Sequence, residues 1–240
     1  IDLRVLKTFF ALPAGYVFLT PEEAALVNTR AGRPLVPSTV IGSGLEPAAS
    51  SVTDRVALDR LGLPARFVLY LGRVDRNKGC EMLLEYYREY LDGGGDTSLV
   101  LAGPSTLAIP DDPRIRALGY VSDEVREALL THAALLVVPS PYESLSMVLL
   151  EAWNHGTPAL VNARCHVLDG QVRRANAGLS FRSSREFQEA LSWLLTHEAA
   201  RRELGRQGLA YVDQEYRWPT VLSRVEALLA EVSSRRAAAG

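Results

Sequence analysis

The chain has 240 residues, 48% of them hydrophobic and 22% charged, so it is long enough to bury a substantial core. Its 26 basic and 28 acidic residues give a net charge of −2, which argues against the basic surface of a nucleic-acid-binding protein. No run approaches the ~18 consecutive apolar residues of a membrane span, and residues 1–7 lack the layout of a signal peptide. We therefore expect a cytoplasmic protein without a transmembrane segment or a nucleic-acid partner.

The beginning of the chain predicts a short α/β segment followed by a linker. A strand, a helix and an extended segment are predicted, in that order, at residues 15–20, 21–29 and 38–44. Residues 42–53 are rich in Gly, Pro and Ser and form the best linker in the chain. We place a domain edge there, between residues 1–47, which resemble the tail of a preceding domain, and residues 48–240.

From residue 67 onward, short apolar runs alternate with helical periodicity, which is typical of β-α-β units and a parallel sheet. Strands are predicted at residues 67–71, 98–102, 115–118, 135–138, 159–161 and 179–181. Helices are predicted at residues 79–91, 122–132, 146–155, 184–196, 198–215 and 218–235. Ser122 and Ser184 occupy the expected N-cap positions. The predicted fold class is α/β, a Rossmann-like parallel sheet with helices on both faces, preceded by an N-terminal remnant.

The two cysteines, Cys80 and Cys165, lie far apart in sequence. They belong to no C-x-x-C or histidine spacing, so the sequence predicts neither a metal site nor a disulfide framework. We interpret both as packing thiols, because a free cysteine is usually a small buried hydrophobe.

A glycine turn with two cations follows the first strand of the parallel-sheet region. It contains Gly72, Arg73 and Lys78, after which Gly79 opens a helix. Ligands in open α/β sheets lie at the carboxyl ends of strands, so this turn offers two cations to an anion such as a diphosphate. An ordinary loop with solvated charges is the alternative for this motif alone. The spacing matches neither the G-x-G-x-x-G of a dinucleotide fold nor a P-loop.

Two glutamates, Glu143 and Glu151, bracket seven residues after an apolar strand. If the helix begins near Ser146, the amides of Leu145, Ser146 and Met147 lie at its positive end. Unpaired N–H groups and the helix dipole favour a phosphate at that position. The sequence therefore predicts an anion site between the two carboxylates.

The spacing of the glutamates bears on their role. Eight residues at about 1.5 Å each separate them by up to ~12 Å, whereas paired glycosidase carboxylates stand only about 5 to 9.5 Å apart. We interpret them as anchors for opposite ends of one ligand, one for ribose hydroxyls and one for sugar hydroxyls. Solvated glutamates are the alternative, but Glu151 falls in an apolar run where an unsatisfied carboxylate would be costly to bury.

The motifs G-R-x4-K-G and E-S-x6-E-A, followed by residues 156–161, resemble the retaining GT-B glycosyltransferases of group 1, or family 4. The resemblance covers roughly residues 67–235 and implies the C-terminal, donor-binding half of a GT-B fold. It implies that Glu143 contacts the donor sugar, that Glu151 binds the ribose, and that a cation pair binds the diphosphate. The implied catalytic residues are Glu143, Arg73 and Lys78.

The resemblance also assigns roles to backbone groups. Amides just after Glu143 receive the distal phosphate, and residues 117–121 line the base pocket. The implied donor-binding residues are Glu151, Ser144, Leu145, Ser146, Met147, Gly72, Tyr120 and Val121.

Several further features are secondary candidates. Residues 164–171 occupy the place of a family loop that touches the donor or closes the cleft. His155 and His166 are candidates to bind ligand, with a structural role as the alternative. The helix that begins at Trp218 corresponds to one that crosses back to the other domain in GT-B proteins, with a core anchor as the alternative.

The function implied by the resemblance is retaining hexosyl transfer from a nucleotide-diphosphate sugar, with a UDP- or GDP-sugar as the leading donor and no metal or other cofactor. The acceptor would be a saccharide, a lipid-linked compound or a small molecule. Because GT-B catalysis takes place between two halves, residues 1–47 are read as a remnant of the acceptor domain. The chain alone is then expected to bind donor and transfer nothing, and any peripheral membrane contact would come through the missing domain.

Three other functions stay open. A GT-B nucleotide-sugar epimerase would use the same architecture. A glycogen-phosphorylase-like enzyme would require pyridoxal phosphate on a Schiff-base lysine. A non-catalytic module would bind the nucleotide sugar without transferring it.

Overall fold

A computed structural model of the chain describes residues 8–48 and 55–239. The first seven residues, on which the expected absence of a signal peptide depends, lie outside the described residues. Residues 49–53 of the predicted linker also lie outside them.

The described elements alternate along the chain between strands and helices. The strands are β1 Tyr16–Phe18, β2 Ser38–Val40, β3 Phe67–Leu71, β4 Ser98–Ala102, β5 Ile115–Gly119, β6 Leu135–Val138, β7 Ala159–Asn162 and β8 Gly178–Phe181. The helices are α1 Pro21–Ala31, α2 Val56–Arg60, α3 Cys80–Asp92, α4 Asp123–His132, α5 Met147–Asn154, α6 His166–Ala175, α7 Ser184–Thr196, α8 Glu198–Glu215 and α9 Trp218–Ala239.

The main sheet has six strands in the order β5-β4-β3-β6-β7-β8, and every neighbouring pair is parallel. Its central strands β3, β4 and β6 are almost entirely buried, as expected for a parallel sheet flanked by helices. Strands β3, β4 and β6 match their predicted bounds, and the other three differ by one residue. The predicted α/β class is confirmed.

One of the two N-cap predictions is confirmed and the other is wrong. Ser122 caps α4, because its side chain accepts a hydrogen bond from the amide of Val125. Ser184 was the wrong serine: Ser183 caps α7, accepting from the amide of Glu186 at 3.2 Å. The Glu186 carboxylate in turn accepts from the Arg182 amide next to the cap. Serine three residues before a glutamate is the capping-box pattern, which decides between the adjacent serines.

Two helices were not predicted. The short helix α2 lies before β3, and residues 164–171, predicted as a loop, mostly belong to α6. The buried side chains of α6 recur at helical spacing, and the helix packs on β7 and β8. Asp169 and Gln171, both buried, interrupt its apolar pattern, so the periodicity was not visible in the sequence.

The chain divides into two compact units, one formed by Ile1–Glu46 with Gln214–Gly240 and the other by Pro47–Asp213. The first edge lies one residue from the predicted edge. The last helix, α9, belongs to the first unit, whereas the prediction placed it with residues 48–240. Within the first unit, Trp218 covers Gly44 so closely that a Cβ at the glycine would be 2.3 Å from the indole.

Candidate functional site

The two sequence motifs meet at the carboxyl edge of the main sheet. Strands β3 and β6 are parallel neighbours, with Val68 paired to Leu135 and Leu69 to Leu136. The glycine turn follows β3 and the first glutamate follows β6. Because parallel strands end at the same edge, both motifs lie side by side at the position where this fold class binds ligands.

A cavity of about 240 Å³ lies between these motifs. The predicted site residues that line it are Gly72, Lys78, Glu143, Ser146 and Met147. The structure therefore brings together a cation, a carboxylate and the start of helix α5.

An ion pair spans the cavity. The Lys78 Nζ donates to Glu143 Oε1 at 2.8 Å, and the two side chains are 37% and 13% exposed. Next to Lys78, Gly79 has φ 74° and lies against Pro139, where a Cβ would be 2.3 Å from the Pro139 carbonyl oxygen. Close approach of the two loops thus requires the glycine. The sequence motifs did not indicate that the predicted phosphate cation and the predicted sugar carboxylate contact each other.

Arg73 lies differently from the other predicted cation. Its side chain is 68% exposed, and its guanidinium is 3.6 Å from the Asp75 carboxylate. Arg73 does not line the cavity that contains Lys78. The predicted diphosphate pair therefore consists of one cation inside the cavity and one exposed cation next to it.

The start of α5 has an unusual backbone. Ser146, the N-cap, has φ 62° and ψ 81° and makes no capping bond with its side chain. The Leu145 side chain is buried, Ser144 is exposed, and Met147 is 39% exposed. The first-turn amides of any helix lack carbonyl partners within the helix, so this end of α5 presents N–H donors to the cavity edge.

Glu151 lies outside the cavity and forms an ion pair with Arg126 of α4. Its carboxylate is 24% exposed, so it is neither fully buried nor fully solvated. The ion pair joins the Arg126 guanidinium to Glu151 Oε1. Arg126 was not predicted as a partner of Glu151, because the two residues are 25 positions apart.

His155 belongs to the contact between α5 and α4. Its side chain is 7% exposed, with Nε2 2.9 Å from Glu127 and Nδ1 2.9 Å from Thr131. Burial lowers the pKa of His155, against the opposing effect of the Glu127 carboxylate. Both ring nitrogens are engaged within the protein, so His155 fits the structural alternative. His166 is exposed at the start of α6.

The predicted base-pocket residues lie at the same edge of the sheet but further out. Tyr120 and Val121 follow β5, the edge strand, and two strands separate β5 from β6. Tyr120 is 87% exposed. A large exposed aromatic ring at the ligand edge of the sheet is available to pack on a flat ligand group.

Two buried polar residues that the sequence did not indicate hold the loops in place. Asp75 accepts a hydrogen bond from the Lys78 amide at 2.8 Å, which forms a tight turn. Asn162, at the end of β7, donates to the Pro139 carbonyl at 2.9 Å and accepts from the Arg164 amide at 3.0 Å. The feature of the sequence that could have indicated Asp75 is an aspartate three residues before a lysine in a turn.

The turn after β3 is also stabilised by two side chains that contact the Arg73 carbonyl oxygen. The Tyr70 hydroxyl donates to the Arg73 carbonyl at 2.5 Å, and the Cys80 thiol lies 3.8 Å from the same oxygen. Burial raises the pKa of Tyr70 and of Cys80, so both stay protonated donors at neutral pH. Cys80 and Cys165 are both free and buried, as predicted for packing thiols.

Within residues 8–48 and 55–239, no cluster of three or more His, Cys, Asp or Glu side chains is arranged to hold a metal ion. None of the helices in these ranges is long and apolar enough to cross a membrane.

Comparison with known proteins identifies the family. Residues 65–197, more than half of the chain, match the family model described as glycosyl transferases group 1. The chain belongs to the group 1 glycosyltransferases. The resemblance to the group 1 glycosyltransferases is therefore confirmed, and the assignment to the retaining enzymes of family 4 stays a prediction.

Curated relatives in this family cover different parts of the chain. A D-inositol 3-phosphate glycosyltransferase of Corynebacterium aurimucosum is 26% identical over 207 residues, which are 78% of this chain and 48% of that protein. An alpha-D-kanosaminyltransferase of Streptomyces kanamyceticus is 32% identical over 115 residues, 43% of this chain and 30% of that protein. The chain thus spans about half, or less, of the length of these relatives.

Solved structures show the same fold. Sucrose-phosphate synthase from Thermosynechococcus elongatus superposes with a TM-score of 0.78 at 24% identity, covering 97% of this chain and 62% of that one. HepE from Anabaena, solved in complex with UDP, superposes with a TM-score of 0.79 at 15% identity, covering 95% of this chain and 67% of that one. The architecture of the group 1 glycosyltransferase is therefore the GT-B type predicted from the sequence.

Proposed function

We propose that this group 1 glycosyltransferase chain is the donor-binding half of an enzyme that transfers a sugar from a nucleotide-diphosphate sugar to an acceptor. The observation that carries the proposal is the cavity at the sheet edge, where Lys78, Glu143 and the start of α5 meet. Cation, carboxylate and free amides are the groups that a sugar diphosphate requires.

Each group has a place along the proposed ligand. Glu143 accepts from hydroxyls of the transferred sugar, and Glu151, which also pairs with Arg126, accepts from hydroxyls of the ribose. An ammonium has three N–H groups, and the Lys78 ammonium donates to Glu143 Oε1. The other N–H groups then bind diphosphate oxygens without breaking the ion pair.

The leaving group in this proposal is the nucleoside diphosphate. Negative charge develops on its distal phosphate as the bond to the sugar breaks. Lys78, the exposed Arg73 and the positive end of α5 stabilise that charge without a metal ion. Retention at the anomeric carbon is carried over from the family resemblance and stays a prediction.

A uridine donor is the leading candidate. HepE from Anabaena was solved with UDP and with UDP-glucose, and a Burkholderia vietnamiensis trehalose-phosphate synthase is described as UDP-forming. GDP-sugars are the second candidate. The acceptor, which a second domain would bind, stays within the classes predicted above: a saccharide, a lipid-linked compound or a small molecule.

Calorimetric titration of the chain with UDP, GDP and ADP, and with their common sugars, tests donor binding. We expect one nucleotide to bind, and we expect Glu151→Ala and Arg73→Ala to weaken it by about tenfold, the effect of one hydrogen bond to a charged group. Glu189→Ala is the matched control, because Glu189 is likewise paired with an arginine but lies exposed on α7. Absence of binding at millimolar nucleotide, or wild-type affinity in Glu151→Ala, contradicts the proposal.

The same preparation tests whether the 240-residue chain binds the donor without transferring the sugar. We expect the 240-residue chain to bind the donor and to transfer no sugar, because the reaction takes place between two GT-B domains. Full-length protein with candidate acceptors should release the nucleoside diphosphate, which a coupled assay detects. Transfer by the 240-residue chain alone would overturn this part of the proposal.

A further inference from the structure

Arg126 lies in the first turn of α4, where a cation is unfavourable for the helix. The helix begins at Asp123, directly after its N-cap Ser122, and the Arg126 amide donates to the Ser122 carbonyl at 2.9 Å. The start of a helix is the positive end of its dipole, which favours acidic side chains and disfavours an arginine. Helix stability therefore does not account for an arginine at this position.

The Arg126 guanidinium lies between two carboxylates. It engages Glu151 of α5 through Nη2, and Nη1 is 3.5 Å from its neighbour Glu127. The second oxygen of Glu127 is 2.9 Å from Nε2 of His155, the residue that ends α5. Burial lowers the pKa of His155, so its ring is neutral at neutral pH. These four side chains, which we call the α4–α5 cluster, contain one cation and two carboxylates.

The α4–α5 cluster belongs to the ligand edge of the sheet. Helix α4 follows β5 after residues 120–122, and α5 follows β6 after residues 139–146, so both helices begin at the carboxyl edge. Arg126 is the fourth residue of α4 and Glu151 the fifth of α5, each within about 7.5 Å of the start of its helix. The ion pair therefore joins the helix that follows the predicted base pocket to the glutamate predicted to bind the ribose.

The charges of the cluster favour one part of a nucleotide over another. Two carboxylates around a single cation accept hydrogen bonds from hydroxyls and repel phosphates. A glutamate side chain has several rotatable bonds, and binding a ligand through it costs the entropy of fixing them. The planar guanidinium of Arg126 is held by a second carboxylate, so it restricts Glu151 before ligand binds.

We propose that Arg126 is a positioning residue that holds the Glu151 carboxylate in the orientation that accepts the ribose hydroxyls of the donor. This role rests on the proposed donor-binding function and adds a residue that neither sequence motif contains. Arg126 acts through Glu151, and Glu127 orients the guanidinium from its other side. Without the arginine, the carboxylate has more orientations to lose on binding, and the ribose hydroxyls contribute less to affinity.

The dependence of affinity on the ribose hydroxyls tests this role. Calorimetry measures the affinities of the wild type, Arg126→Met and Glu151→Ala for UDP and GDP, and for their dideoxyribose analogues, which lack both ribose hydroxyls. The two affinities are compared within each protein, so a general loss of active protein cancels. Arg126→Gln gives the same comparison if the methionine variant does not fold. Arg185→Met is the matched control, because Arg185 pairs with Glu189 but lies exposed on α7.

We expect Arg126→Met to bind the preferred nucleoside diphosphate about threefold to tenfold more weakly and to bind its dideoxyribose analogue as the wild type does. The double variant with Glu151→Ala should bind no more weakly than Glu151→Ala alone, because the arginine acts through the glutamate. Arg185→Met should match the wild type with both ligands.

The results that would overturn the role of Arg126 differ from those that would overturn donor binding. Wild-type or tighter affinity for the diphosphate in Arg126→Met, with Glu151→Ala still impaired, rejects the positioning role alone. An equal loss for the dideoxyribose analogue also rejects it, because the arginine would then act on another part of the nucleotide or on the fold. Wild-type affinity in Glu151→Ala, or no binding of any nucleoside diphosphate by the wild type, rejects the proposed function as well.

Discussion

At the scale of single residues, the charged side chains of the site form ion pairs within the protein. Lys78 is bonded to Glu143, and Glu151 is paired with Arg126. A largely buried carboxylate without such a partner would be costly, so each cation offsets the cost of placing a carboxylate near the apolar sheet. In the proposed function, ligand hydroxyls and phosphates bind to groups that are already held in position.

Replacing Lys78 tests the cation inside the cavity. We expect Lys78→Met to weaken UDP binding by about tenfold or more and to leave uridine binding unchanged, because only the diphosphate contacts the ammonium. Calorimetry with both ligands gives the comparison. Arg76→Met is the control, since Arg76 is exposed in the same turn and pairs with Glu81. Equal losses in the two variants would mean that the effect is general electrostatics.

The histidine at the end of α5 predicts a pH dependence of stability. Burial lowers the pKa of His155 below its usual value near 6.5, so the folded protein binds fewer protons there than the unfolded chain. The free energy of unfolding should therefore fall as the pH decreases below about 6.5. The charged groups that face the ring are Glu127, Arg126 and Glu151, and their effects are included in this direction.

Urea denaturation at several pH values between 5 and 7.5 measures this dependence. We expect His155→Gln to lose less stability on acidification than the wild type, because its side chain does not titrate. His166→Gln is the control, since His166 is exposed, and it should keep the wild-type slope. Identical slopes in all three proteins would show that His155 is not responsible.

At the scale of elements, glycines determine how closely the loops and helices approach. Gly79 brings the start of α3 against Pro139, and Gly208 of α8 lies against Trp153 of α5. Trp153 is fully buried, and its indole N–H donates to the Ala177 carbonyl at 3.0 Å. The tryptophan after Glu151 therefore anchors α5 in the core and does not face the ligand edge.

Adding a methyl group at Gly79 tests the loop contact. Gly79→Ala meets both a positive φ of 74° and the Pro139 carbonyl oxygen, whereas Gly94→Ala meets a positive φ of 93° in open space. We expect Gly94→Ala to cost about 1–2 kcal/mol and Gly79→Ala to cost more and to weaken UDP binding. Urea denaturation and calorimetry measure both effects. A Gly79→Ala protein with normal affinity would show that the contact does not position the ion pair.

At the scale of the whole molecule, charge is balanced and the attraction for an anion is local. The net charge is −2, and the cations of the site are single residues beside carboxylates. Such a distribution favours binding of one small anion over binding of an extended polyanion.

Binding of a labelled DNA duplex measures this difference. We expect no change in fluorescence anisotropy up to about 100 µM protein at physiological salt, a range in which non-specific DNA-binding proteins are partly or fully bound. UDP binding by the same preparation serves as the positive control. Saturable binding of the duplex would contradict the exclusion of nucleic-acid partners.

The parallel α/β sheet, its strands to within one residue, and the family were predictable from the sequence, because they depend on periodic burial and on residues close together in the chain. It also predicted that a cation turn and a glutamate loop would lie at one edge, which follows from parallel topology. It did not predict helix α6, whose buried Asp169 and Gln171 break the apolar pattern.

Which charged residues form ion pairs depends on the tertiary structure. Lys78 with Glu143 and Arg126 with Glu151 join residues 65 and 25 positions apart, and only the packing of separate elements brings them together. The sequence therefore indicated Lys78, Glu143 and the start of α5, which line the cavity, and the packing determined which charged residues pair with one another.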